Sequence, residues 1–261
     1  MRFSLFFAIV LLVSCQKKAD YSGVRIIGHA ASGLKSTTSL YHDNSAEAIA
    51  YAIGLEGIDG IEIDIQCSAS QTAWLFHDQE LSAETNGSGC INSVTDNYLS
   101  SLQYSTLEHE SLLRLADIDF PFAERLLVLD VRSSNECLGQ LLDQQFVIDA
   151  IEQALPAGML PMVVTNTPEW VHGFFLKGWK VYYQAETPSA YLGSNLLAET
   201  SGVCIRNEYI GKTDVESIHA AGKEVIIFEV RSPVGIHEGF EKYPDYLMTD
   251  DLKATLIEKY R

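Results

Sequence analysis

The chain has 261 residues, 47% of them hydrophobic, with 18 Lys and Arg against 35 Asp and Glu and a formal net charge of −17. That composition is globular and excludes a disordered or collagen-like chain. The acidic balance and the lack of any basic run argue against a nucleic-acid partner, because such proteins gain affinity by neutralising phosphates with Lys and Arg. An anionic substrate would need a local cation to approach this surface.

At the N-terminus, Arg2 precedes an apolar run from Leu5 to Val13 and a small Ser14 before Cys15. A membrane-spanning helix needs roughly 20 apolar residues, so this shorter run reads as a signal peptide over 1–14. Leu12-Val13-Ser14-Cys15 resembles a bacterial lipobox. Cys15 is therefore the expected lipid-attachment residue, and 15–23 an anchor and short linker. The expected location is the bacterial cell envelope, with the protein held on a membrane through that lipid. An ordinary secretory signal is the alternative. Four cysteines remain in the mature chain, Cys67, Cys90, Cys137 and Cys204, and four allow three pairings. In an oxidising compartment the expected bridge is Cys67 to Cys90, around the segment that carries His77. Four buried free thiols are the other possibility.

From residue 24 onward, short β-branched runs alternate with helical stretches. Strands are predicted at 24–30, 60–66, 126–132, 159–165, 179–184, 202–206, 224–230 and 245–249. A ninth run, 73–77, follows the second too closely for a helix to intervene and reads as a hairpin or excursion. Thr167-Pro168, Thr187-Pro188 and Ser232-Pro233 each place a capping hydroxyl before a first-turn proline, and Asn44 with Glu47 has capping-box spacing. Eight strand-then-helix units in about 250 residues predict one closed (β/α)8 TIM barrel over 24–261, with 82–97 as its longest irregular segment. No G-x-G-x-x-G follows the first strand, which weighs against a dinucleotide-binding sheet.

In GIEIDIQ, Glu62, Asp64 and Gln66 alternate with Ile61, Ile63 and Ile65, so both carboxylates share one side of the strand. A surface strand would show the same alternation. A parallel barrel strand is covered by helices outside, and there the carboxylates point inward, where like charges need a cation or hydrogen bonds. Paired carboxylate oxygens suit a hard divalent ion. In LLVLDVR, Asp130 and Arg132 share a face, either as a structural ion pair or as a third carboxylate beside a guanidinium fork that could grip phosphate. His29 and His77 each close an extended run, where barrel catalytic groups cluster, and form a candidate acid and base pair. His42, His109, His172, His219 and His237 are expected at the surface.

The order of GHAASG, DNSAEAIAYAIG, GIEIDIQ, WLFHDQEL, LLVLDVR and PDYLMTDDL resembles the glycerophosphodiester phosphodiesterase family, a (β/α)8 group of phospholipase-C-like, metal-dependent phosphodiesterases. The resemblance implies that Glu62, Asp64 and Asp130 bind magnesium or calcium, and that His29 and His77 are the general acid and base. It makes Arg132 and Asn44 candidate substrate-binding residues. The implied reaction is hydrolysis of a small glycerophosphodiester to glycerol phosphate and an alcohol. Three positions depart from the family pattern: Ala30 replaces an Arg, Asp43 a Glu, and Asp130 a Glu. A related barrel phospholipase acting on intact lipids is a second enzyme reading, and the missing Arg motivates a rival of another class, a non-catalytic envelope binding protein.

Overall fold

The computed structural model describes residues 20–34, 40–119, 121, 124–135, 137 and 139–261. The segment read as a signal peptide, 1–14, and Cys15 lie outside the described residues. Eight parallel strands close into a barrel: β1 (Arg25–Gly28), β2 (Gly60–Cys67), β5 (Leu126–Val131), β8 (Met162–Thr165), β9 (Lys180–Gln184), β10 (Gly202–Arg206), β11 (Glu224–Val230) and β12 (Tyr246–Thr249). Pairing of β1 with both β2 and β12 completes the ring. The run at 73–77 forms β3 (Ala73–Leu75), antiparallel to β2 as a hairpin requires. It pairs in turn with β4 (Leu113–Arg114).

Strand parity builds two cores. Inward residues such as Ile27, Val128, Met162, Tyr182, Ile226 and Tyr246 fill the barrel. Outward residues, among them Ile61, Ile63 and Ile65, pack under the helices. The helices are α1 (Ala46–Ile53), α2 (Asp96–Leu99), α3 (Gln144–Ala154), α4 (Pro168–Leu176), α5 (Pro188–Leu192), α6 (Lys212–Ala220), α7 (Pro233–Glu241) and α8 (Leu252–Tyr260). Thr167, Thr187 and Ser232 all stand at N-caps with Pro in the first turn. The hydroxyls of Thr187 and Ser232 accept from the backbone, whereas that of Thr167 turns to Ser133 and Asn166. At α1 the cap is Ser45, which accepts from the Ala48 N–H, and not Asn44. Asn44 has φ +58° and its side chain is committed elsewhere.

The excursion between β2 and β5 is less irregular than expected: 82–97 contains short helical turns and α2. Trp74, Phe76, Leu81, Ile91, Leu99 and Tyr104 give it a small core of its own. A disulfide joins it to the two-stranded hairpin of β6 (Ser134–Asn135) and β7 (Gln140–Leu141), through Cys90 and Cys137 with their Cα atoms 6.1 Å apart. This corrects the expected Cys67–Cys90 pair. Cys67 shares the outward parity of Ile65, so its thiol is buried beneath the helices, and Cys67 and Cys204 are free. His42 is also misplaced as a surface residue, for its ring stacks on Tyr104 with centroids 3.6 Å apart.

The chain enters the barrel at its N-terminal end, where Tyr21 stacks on Phe240 just ahead of β1. All eight barrel strands then run toward the opposite mouth.

Candidate active site

At the C-terminal mouth, Glu62, Asp64 and Asp130 project inward from the adjacent strands β2 and β5. They offer carboxylate oxygens within 4.8 Å of one another. Burial, reinforced by the neighbouring Asp64 charge, pushes the Glu62 carboxyl well above the usual carboxylate range. Burial likewise raises Asp130, even with Arg132 beside it. For Asp64 burial is outweighed by Arg132, His77 and Asn44, and its carboxyl titrates low. Arg132 reaches Asp64 at 2.6 Å and Asp130 at 3.4 Å, so its shorter contact crosses to the neighbouring strand. Its buried Nε has no hydrogen-bond partner among the described residues.

Asn44, expected at the substrate, is fully buried and spends both ends of its amide on Asp64. Its Nδ2 donates to Oδ2 at 2.9 Å and its Oδ1 accepts from the Asp64 N–H at 3.0 Å. It orients a carboxylate rather than facing the cleft.

His29 follows β1 in a tight turn in which Ala30 and Ala31 have φ of +44° and +73°. A Cβ on Gly28 would lie 1.9 Å from the Ala31 carbonyl oxygen, so glycine is required there. The turn aims the Ala30 N–H at Glu62 Oε2, 2.7 Å away. Where the family pattern has an arginine, this chain therefore has a buried methyl whose backbone holds a carboxylate. His29 Nδ1 lies 2.8 Å from Asp250 Oδ1, leaving Nε2 directed toward Glu62 at 3.9 Å. Asp250 also accepts from the Leu34 N–H and from Arg231. Sequence reasoning missed Asp250. The register that pairs Gly28 with Thr249 sets the next residues, His29 and Asp250, side by side.

His77 lies just beyond β3, with Nδ1 2.8 Å from Asp78 Oδ1. The segment is fixed by Gln66, whose amide donates to the carbonyls of Phe76 and Asp78. Each histidine is thus oriented through Nδ1 by an aspartate, which leaves Nε2 for proton transfer. His77, Gln66 and Arg132 line a cleft of about 470 Å³. A second cleft of about 1080 Å³ opens over β8, β9 and β10.

Burial disfavours charge on His29, but the hydrogen bond and charge of Asp250, with Glu62 and Asp64, outweigh it and hold its pKa up to about 9. A group raised in this way stabilises the fold below its ordinary pKa of 6.5 and loses that contribution as pH rises through about 9. The metal-free protein should therefore lose on the order of 3 kcal/mol across that window. Urea unfolding at stepped pH measures it, and His29→Asn should flatten the curve there.

Three carboxylates at the mouth of a closed (β/α)8 barrel, beside two aspartate-oriented histidines and a guanidinium, define the class: the barrel phosphoric diester hydrolases. Residues 33–141 match the model of the glycerophosphoryl diester phosphodiesterase family. No curated protein matches it. Its fold is shared by many solved structures, three of which follow. A phosphodiesterase of Oleispira antarctica, in complex with the product sn-glycerol-3-phosphate, is 20% identical with a TM-score of 0.76, over 92% of this chain and 99% of that one. A glycerophosphodiester phosphodiesterase of Thermotoga maritima is 18% identical with a TM-score of 0.69, over 91% and 98%. One from Agrobacterium tumefaciens is 17% identical with a TM-score of 0.68, over 90% and 99%.

Proposed function

We propose that the chain hydrolyses glycerophosphodiesters to glycerol phosphate and an alcohol, with residues 24–261 acting as one phosphodiesterase domain. The observation that carries this reading is the pairing of the buried carboxylate cluster with His29 and His77, each held by its own aspartate. Glu62, Asp64 and Asp130 would hold one divalent cation, magnesium or calcium. Their all-oxygen donor set is that of a hard ion, and oxygens up to 4.8 Å apart can share one at the usual calcium–oxygen distance of about 2.4 Å. When bound, such an ion neutralises phosphoryl oxygen charge.

The protein's own groups do the rest. Arg132, which lines the cleft beside His77, offers its guanidinium to a phosphate oxygen, a role the family pattern gives partly to the arginine that Ala30 replaces. His77 Nε2 takes a proton from the attacking water as the water oxygen bonds to phosphorus. His29 Nε2 gives a proton to the alkoxide as the second phosphorus–oxygen bond breaks. The cleft beside His77 is lined mainly by charged and amide side chains, which favours a water-soluble diester over an intact lipid. We further propose that Cys15 carries a lipid holding the protein on an envelope membrane.

Release of glycerol phosphate from glycerophosphoethanolamine, stopped by chelator and restored by magnesium or calcium, tests the reaction. Absence of release with either ion overturns it. Ion binding also has a readout independent of turnover. At 100 times its Kd the ion should stabilise the fold by about 2.7 kcal/mol, seen as a rise in Tm. Asp130→Asn should abolish most of that rise.

A further inference from the structure

The larger cleft is joined to the reaction centre through one ring. Phe228, a buried barrel-core residue at the top of β11, meets His29 edge to face with ring centroids 6.3 Å apart and also lines the 1080 Å³ cleft. If His29 protonates the departing alkoxide, the alcohol leaves on this side. This placement of the alcohol rests on the role proposed for His29.

The chemistry of the cleft then narrows the alcohol. A cationic head group would be held by an open aromatic face. That face of Phe228 is already taken by Arg206, whose guanidinium carbon stands 5.5 Å from the ring centroid. The arrangement is built into the strand. The register of β11 against β12 shifts between Ile227 and Val230, and Glu229 adopts φ +58° within the shift. Such irregularities re-aim side chains beside functional sites. Here Glu229 is turned to pair with Arg206 and Arg231. Arg206, neutralised by Glu229, is thus held over Phe228 and closes that ring face to an ammonium group. The remaining lining includes planar amides, Asn166 and Gln184, the rings of Tyr183 and Tyr209, and one carboxylate, Glu186, which can accept from hydroxyls. Planar amides and a guanidinium can bond pairs of hydroxyls, while tyrosine rings accept the apolar face of a saturated ring.

We infer that this cleft is the subsite of the leaving alcohol and takes a neutral, hydroxyl-rich ring alcohol, a cyclitol or sugar, in preference to a cationic amino alcohol. The test compares glycerophospho-myo-inositol, glycerophosphocholine and glycerophosphoethanolamine as substrates of the full chain and of Arg206→Met. The wild type should show a kcat/KM for the inositol diester at least tenfold above that for the choline diester. Arg206→Met should reduce that preference about tenfold, with use of both the choline and the ethanolamine diester rising relative to the inositol diester, and an unchanged Tm reports that the variant is folded. Equal or better use of the choline diester by the wild type, or a uniform loss across all three substrates in the variant, would overturn the inference. Calorimetric binding of the same three diesters to His29→Ala separates the two readings. Lack of turnover with any substrate removes the proposed reaction, while the order of affinities still decides what the cleft accepts. Inositol diester binding no tighter than choline diester binding sinks the subsite whatever the activity.

Discussion

Alanine at His29 is expected to lower kcat by about 10²- to 10⁴-fold, the range lost when a positioned general acid is removed, with little change in KM. The imidazole is suited to this role because Asp250 occupies Nδ1 at 2.8 Å and surrounding carboxylates keep the ring protonated near neutrality. Asp250→Asn tests the arrangement separately. It keeps a group of the same shape beside the ring but removes the charge, so the basic limb of the kcat profile should move to lower pH. A merely structural aspartate would change Tm and leave that limb in place. Substrates with an acidic leaving alcohol, such as a nitrophenol, should suffer less from His29→Ala, because their alkoxide departs without a proton. Equal losses for good and poor leaving groups would exclude His29 as the acid.

Cys137→Ser should cost about 4 kcal/mol, the loop-closure value for a bridge spanning 47 residues, and lower Tm by on the order of 10 °C. The bridge ties the excursion carrying His77 to the β6–β7 hairpin. Asn92 and Ser134, one from each side of it, line the cleft beside His77. Activity should therefore weaken together with stability. Reductant should bring the wild type to the Tm of the variant and leave the variant unchanged. A Tm unaffected by Cys137→Ser would show that this pair contributes nothing.

Strand parity made much of the mouth legible in the sequence. Alternation in GIEIDIQC puts Glu62, Asp64 and Gln66 on one side and Ile61, Ile63, Ile65 and Cys67 on the other. The same rule explains why Cys67 cannot face Cys90, a consequence the expected disulfide overlooked. What stayed hidden depends on closure. Asp250 is 221 residues from His29 and becomes its neighbour only because β12 returns beside β1. The adjacent Asp251 caps α8 by accepting from the Ala254 N–H, and nothing local distinguishes the two aspartates. Asn44 was ambiguous for a related reason. Asp43, Asn44 and Ser45 are all capping residue types, and only the demand of Asp64 on the Asn44 amide leaves the cap to Ser45.

The entry of the chain beneath the barrel has a bearing on how substrate is met. Asp20, the first described residue, lies at the end opposite the catalytic mouth, and five residues of extended chain reach at most roughly 18 Å. A lipid on Cys15, as proposed, would seat the protein with its N-terminal rim toward the bilayer and its cleft facing outward. Diesters would then arrive by three-dimensional diffusion from solution, one encounter per turnover. The enzyme would not scoot from lipid to lipid within the surface that holds it.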